Sequence, residues 1–298
     1  MKLNTILAFL PLLLSSCLKL DNNLYNNKKE ITTYQLDNYT DTQDFKLDAS
    51  YAIPSDKVHL FDLTSTIPGD SKSYTIKALF IGDTSKIKSD TVILYCHGNK
   101  WHMDFYWQRA KLLAHVNGKM RYGVLMLDYR GYGLSEGDPS EKGIYADVDA
   151  GLAWLKSKGL SSARFMFYGF SLGSAAVCEL SAKPRTLTPA KIMLEAPFAS
   201  AEVMVQDAAR LNMPATYFTD LKIDNAEEIK KVSCPFLWVH GTNDNFLNYK
   251  THGEVVFKNY KGVYSESFLV NGADHGQIPA TMGFDAYTKL LGAFIRKP

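Results

Sequence analysis

The stretch Phe167-Tyr168-Gly169-Phe170-Ser171-Leu172-Gly173-Ser174 decides the reading of this chain. An apolar run, Phe165 to Tyr168, leads into it, and small residues, Gly173 to Ala176, lead out. Between them a serine stands at the spacing G-x-S-x-G. That pattern predicts a strand turning sharply into a helix, with the serine at the corner in a strained backbone conformation. Glycines at 169 and 173 let the two backbones approach, and the hydroxyl projects beside the positive end of the new helix. A glycine-rich turn with an incidental serine would look the same locally, so the test lies elsewhere in the chain.

Outward from this turn, apolar strands alternate with amphipathic helices. Thr91 to Cys96, Tyr122 to Leu127, Arg164 to Tyr168, Ile192 to Leu194, Phe236 to Val239 and Ser265 to Val270 read as strands. Phe105 to Val116, Glu141 to Lys158, Ser174 to Ala182, Phe246 to Phe257 and a closing segment through Ala286, Leu290 and Phe294 read as helices. Continuous apolar strands in this rhythm predict a mostly parallel sheet of about eight strands with helices on both faces. Val58 to Leu63 and Tyr74 to Ile81 alternate in polarity and are expected as its antiparallel edge. No repeat period is present.

Ligands of such sheets bind beyond the carboxyl ends of the strands. His97-Gly98-Asn99-Lys100 follows one apolar strand, and Asp128-Tyr129-Arg130-Gly131-Tyr132-Gly133-Leu134-Ser135 follows the next. Ser171 follows a third, Asp244 stands shortly after the strand ending at Val239, and His275 after the last. A serine, then an acid, then a histidine, each after a separate strand, is the order expected of this turn. Glu195, also at a strand end, and Asp274 compete with Asp244 for the acid. Of the seven histidines, His97 and His240 read as structural groups in H-G turns. Asp128 and Arg130 read as shaping their loop.

Residues 55 to 298 resemble the α/β-hydrolase superfamily, and H-G-N, D-Y-R-G-Y-G-x-S and G-F-S-L-G resemble its membrane-associated serine hydrolases. The resemblance implies Ser171 as nucleophile, His275 as general base and Asp244 as the group orienting it. It also implies an oxyanion hole from the backbone N–H groups of Leu172 and Asn99, with Lys100 N–H as an alternative second donor. The reaction implied is hydrolysis of carboxylic esters or thioesters through an acyl-enzyme. A peptidase or aminopeptidase-like hydrolase and a catalytically silent binding protein are the other readings. No metal-ligand spacing and no nucleotide-binding glycine motif is present, so no cofactor is expected.

Roughly 40 residues separate Leu194 from Phe236, more than one crossover helix needs. Residues 199–232 are expected as a short lid, with Ser200 to Leu211 and Ala226 to Val232 helical. Trp101, Phe105, Tyr106 and Trp107, with Met204, Leu211, Met213, Tyr217 and Phe218, are candidates for lining an acyl pocket or for plain packing.

The N-terminus reads as targeting. Lys2 precedes an apolar run, Leu3 to Leu14, too short for the roughly 20 residues of a spanning helix. Its end, Leu14-Ser15-Ser16-Cys17, resembles a bacterial lipoprotein signal, which implies cleavage after residue 16 and a lipid on Cys17. The expected organisation is a signal peptide (1–16), a lipidated cysteine with a hydrated, Asn/Asp/Lys-rich tether (17–50) and a hydrolase domain (51–298). The expected location is the cell envelope, on a membrane anchor, with a secreted or periplasmic form as the alternative. Of 298 residues, 46% are hydrophobic and 21% charged, with a net charge of +2, which argues against a nucleic-acid binder. The expected partner is a small-molecule or acylated substrate, and the chain is expected to be a monomer. Cys96, Cys178 and Cys234 read as small buried apolar residues.

Overall fold

The computed structural model describes residues 24–27, 30–209 and 219–297. The expected signal peptide and Cys17 lie outside them, as do Leu211, Met213, Tyr217 and Phe218.

Strands β1 (Val58–Thr66) and β2 (Ser73–Ile81) form an antiparallel edge hairpin. The other strands are β3 (Val92–Cys96), β4 (Gly123–Leu127), β5 (Phe165–Phe170), β6 (Lys191–Glu195), β7 (Phe236–Gly241) and β8 (Ser265–Val270). The sheet order is β1-β2-β4-β3-β5-β6-β7-β8. β2 meets β4 antiparallel, and every pairing from β4 onward is parallel.

The helices are α1 (Met103–Ala114), α2 (Glu141–Ser157), α3 (Gly173–Ala182), α4 (Ala201–Ala209), α5 (Asn225–Glu228), α6 (Gly253–Asn259), α7 (Ile278–Met282) and α8 (Phe284–Arg296). Side chains alternate across a strand, so each central strand feeds two cores. Leu94, Leu125, Phe167 and Leu194 pack with Val148 and Leu152 of α2 and Val177 of α3. Their neighbours Ile93, Val124, Tyr168 and Met193 pack with Trp107 and Leu113 of α1 and Leu291 and Phe294 of α8. Burial on both faces is why the strands read as unbroken apolar runs.

Three expectations are corrected. Residues 24–27 and 30–50 are not a free tether but pack on the sheet domain, with Tyr25, Tyr39 and Phe45 buried. Asp104 at the start of α1 accepts the N–H groups of Gln35 and Leu36, Tyr34 donates to Asp128 Oδ2 at 2.7 Å, and Trp107 Nε1 donates to Asp37 at 2.9 Å. The polar residues of this segment satisfy buried partners, and its aromatic residues supply the apolar contact. The helix expected over Phe246 to Phe257 begins only at Gly253, because Asp244 Oδ1 takes the N–H groups of Phe246 and Leu247 and folds that stretch as a turn. Cys234 is half-buried, unlike Cys96 and Cys178.

Candidate active site

β5 ends at Phe170, and Ser171 follows with φ +51°. Side chains other than glycine rarely hold this left-handed region, and the surroundings fix it here. Ser171 N–H donates to Glu195 C=O at 3.0 Å, and the N–H and hydroxyl of Ser174 both donate to Ser171 C=O. A Cβ at Gly173 would stand 2.0 Å from the carbonyl oxygen of Cys96, and one at Gly169 would stand 2.9 Å from Gly173 O. Both glycines are therefore required by the approach of α3 to β3 and β5.

The structure brings the three residues read from the strand ends together. His275 Nε2 lies 2.9 Å from Ser171 Oγ, and His275 Nδ1 lies 2.7 Å from Asp244 Oδ2. Phe170 and Phe246 flank the imidazole, each with ring centroids 5.2 Å away. Asp244 is buried. Burial works against its charge, but hydrogen bonds from His240, from His275 and from the Leu247 N–H outweigh it, holding the carboxyl well below the usual carboxylate range.

His240, read from sequence as structural, belongs to this arrangement. Trp238 Nε1–H donates to His240 Nδ1 at 3.1 Å, which places the histidine proton on Nε2. That Nε2 faces Asp244 Oδ2 at 3.1 Å and Leu247 C=O at 2.9 Å. The spacing of four residues inside the H-G-T-N-D turn was the available signal.

Glu195, the competing acid, is engaged elsewhere. Arg109 Nη1 donates to its Oε1 at 2.5 Å, and the hydroxyls of Tyr168 and Tyr287 donate to its Oε2. Arg109 also donates to Gly276 C=O at 2.9 Å, with its guanidinium 4.2 Å from the Phe170 ring centre. Asp274 caps the following turn through the Gln277 N–H.

Asn99, Ser171 and Leu172 line one narrow crevice, which brings the two expected oxyanion residues beside the hydroxyl. Lys100 N–H, the alternative donor, is already committed to Tyr106 Oη at 2.9 Å. The crevice adjoins a cavity of about 660 Å³ walled by Phe105, Tyr106, Phe170, Met204, Val205 and Phe246. Leu24, Asn26, Gln43 and Asp44 of the N-terminal segment also face it. Trp107 is instead buried in the core. Arg130 grips Asp147 in a buried bidentate pair, which is a structural use of the D-Y-R-G-Y-G loop. Among the described residues no group of three or more His, Cys, Asp or Glu side chains is arranged to hold a metal.

This sheet, with a strained serine after its fifth strand, has the fold of an α/β-hydrolase, and comparison with known proteins supports a member of that superfamily. Residues 87–233 match the family described as serine aminopeptidase, S33. The chain is 28% identical over 227 residues to alpha/beta hydrolase domain-containing protein 17B of Xenopus tropicalis, covering 76% of this chain and 72% of that one. The human protein of the same name is 28% identical over 229 residues, with the same coverage. Among solved structures, a Pyrococcus furiosus esterase superposes with a TM-score of 0.65 at 14% identity, covering 92% of this chain and 97% of the esterase.

Proposed function

We propose that this protein is a serine hydrolase that cleaves carboxylic esters or thioesters through an acyl-enzyme on Ser171. The observation that carries the reading is the hydrogen-bonded series Ser171 Oγ, His275 and Asp244, at 2.9 and 2.7 Å. A serine hydroxyl needs a base within hydrogen-bond reach to become a nucleophile. As Oγ attacks the acyl carbon, its proton passes to His275 Nε2, and the imidazolium is stabilised by Asp244. The carbonyl oxygen gains the negative charge and takes hydrogen bonds from the N–H groups of Leu172 and Asn99, each worth about 3 kcal/mol. The tetrahedral adduct collapses, and His275 returns the proton to the leaving alcohol or thiol. Water then repeats the sequence on the acyl-enzyme and restores Ser171.

The apolar walls of the cavity suit an acyl chain, and the relatives support a hydrolase. Aminopeptidase activity is the second reading, favoured by the description of the matching family. p-Nitrophenyl esters from acetate to palmitate, assayed beside aminoacyl amides, distinguish the two. Turnover of esters is expected, and turnover of amides alone overturns the ester reading. A silent binding protein would fold yet fail to react with a fluorophosphonate. The protein is proposed to act as a monomer at the cell envelope, anchored by lipid on Cys17. Mass spectrometry of the mature N-terminus tests this, and an unmodified Cys17 removes the anchor.

A further inference from the structure

The N-terminal segment does more than cover the domain. Asn99, which follows the H-G pair after β3, makes three side-chain hydrogen bonds. Its Nδ2 donates to Leu24 C=O at 2.5 Å, and its Oδ1 accepts Asn26 N–H at 2.9 Å and Tyr132 Oη–H at 2.6 Å. Two residues on, Trp101 N–H donates to Asn26 C=O at 2.9 Å. The loop between them carries its own strain, with Trp101 at φ +49°. Lys100 N–H is tied down separately by Tyr106. The backbone of Leu24–Asn26 therefore runs alongside residues 99–101 and fixes them from outside the sheet.

We propose that the segment Leu24–Asn26 positions the oxyanion loop, so that residues upstream of the sheet domain set the rate of the chemical step. The inference rests on the serine-hydrolase reading above. An oxyanion donor acts only if it is held in place before charge develops, since reorganising it during the reaction costs the stabilisation it would give. Leu172 N–H is held by the start of α3, a regular element. Asn99 sits on a loop outside the regular elements, and its loop is held instead by the bonds to Leu24, Asn26 and Tyr132. Asn26 and Leu24 are positioning residues that act through main-chain atoms.

The decisive comparison uses the full-length chain with proline at two places. Asn26→Pro removes the N–H that Asn99 Oδ1 accepts. Thr32→Pro places the same residue in the same segment, away from the oxyanion loop. With Asn26→Pro, kcat on a p-nitrophenyl ester and the rate of fluorophosphonate labelling both fall about tenfold, with KM within about twofold of wild type. Thr32→Pro leaves kcat at the wild-type level. Wild-type kcat in folded Asn26→Pro, or a change confined to KM, overturns the positioning role. If Asn26→Pro does not fold, Asn99→Ala is read by the same criteria, with the same loss of kcat expected. A wild-type protein that does not label at all sinks the serine-hydrolase reading itself, which separates that failure from failure of the clamp.

Discussion

His240 Nε2 stands 3.1 Å from Asp244 Oδ2, the same carboxylate oxygen that faces His275 Nδ1 at 2.7 Å. One buried oxygen therefore serves two imidazoles, while its twin, Oδ1, accepts the N–H groups of Phe246 and Leu247. The second imidazole fixes the direction in which the acid presents itself to the first. Replacing His240 by leucine removes that donor and strands Leu247 C=O and Trp238 Nε1–H. The expected result is a loss of about 1–3 kcal/mol of stability. On p-nitrophenyl butyrate, kcat falls about tenfold with little change in KM, because His275 is less firmly aimed. An unchanged kcat would confine His240 to packing.

The protonation of Asp244 gives a pH dependence of defined sign. Its folded-state carboxyl is held below the usual range, so folding favours the ionised form. The stability this contributes is present above the unfolded carboxylate value, about pH 3.9, and is lost as pH falls below it toward the folded value. Thermal melts of wild type and Asp244→Asn between about pH 2 and 6 should diverge most at the upper end and converge at the lower. Parallel curves across the range would refute this account of the shift.

Gly173 makes the serine turn possible by having no side chain. An alanine Cβ there would lie 2.0 Å from the main-chain oxygen of Cys96, which a rotamer change cannot relieve. Gly173→Ala should lose about 3 kcal/mol or more by urea denaturation. Any folded fraction should label slowly, because Ser171 is displaced with α3. At Gly272, where nothing lies within 4 Å of a built Cβ, alanine meets only the strain of φ +78°. Its smaller cost, about 1 kcal/mol, serves as the comparison.

These relationships were legible in the sequence to different depths. The serine turn, the sheet and the order of Ser171, Asp244 and His275 after successive strands were readable because each depends on local pattern: apolar runs, glycines at fixed spacing, and polar residues just past strand ends. The antiparallel edge formed by β1 and β2 was readable from their alternating polarity. The N-terminal segment was misread because composition averages over the few aromatic residues that anchor it, Tyr25, Tyr39 and Phe45. Several of its asparagines and aspartates look hydrated until distant partners are known: Asn26 meets Asn99, Asn27 meets Gly131, Asp37 meets Trp107 and Asp44 meets Arg109. The stretch after Asp244 was misread as helix for a related reason, since one carboxylate oxygen capturing two N–H groups overrides apolar periodicity. Asp244 was preferred to Glu195 from the sequence; what the sequence does not show is that Arg109, Tyr168 and Tyr287 converge on Glu195 from three different elements.

That choice is open to a direct test. Glu195 ends β6 and Asp244 follows the adjacent parallel strand β7, and either end could present an acid to a histidine in principle. Glu195 is paired with a buried arginine that also holds Gly276, the residue after His275, so its loss is expected to act on stability and only indirectly on the histidine loop. Asp244 touches the imidazole itself. Asp244→Asn should lower kcat by about 10⁴-fold, since an amide offers the wrong partner to Nδ1–H in at least one orientation and cannot stabilise the imidazolium. Glu195→Gln leaves buried Arg109 with only Asp44, at 3.3 Å, as counter-charge and should cost about 3 kcal/mol of stability. The kcat of its folded fraction should stay within about tenfold of wild type. Measured together by active-site titration and denaturant melts, the two variants should separate cleanly into a catalytic and a structural loss. A greater fall in kcat for Glu195→Gln than for Asp244→Asn would move the acid to β6 and require His275 to turn away from the oxygen it now faces.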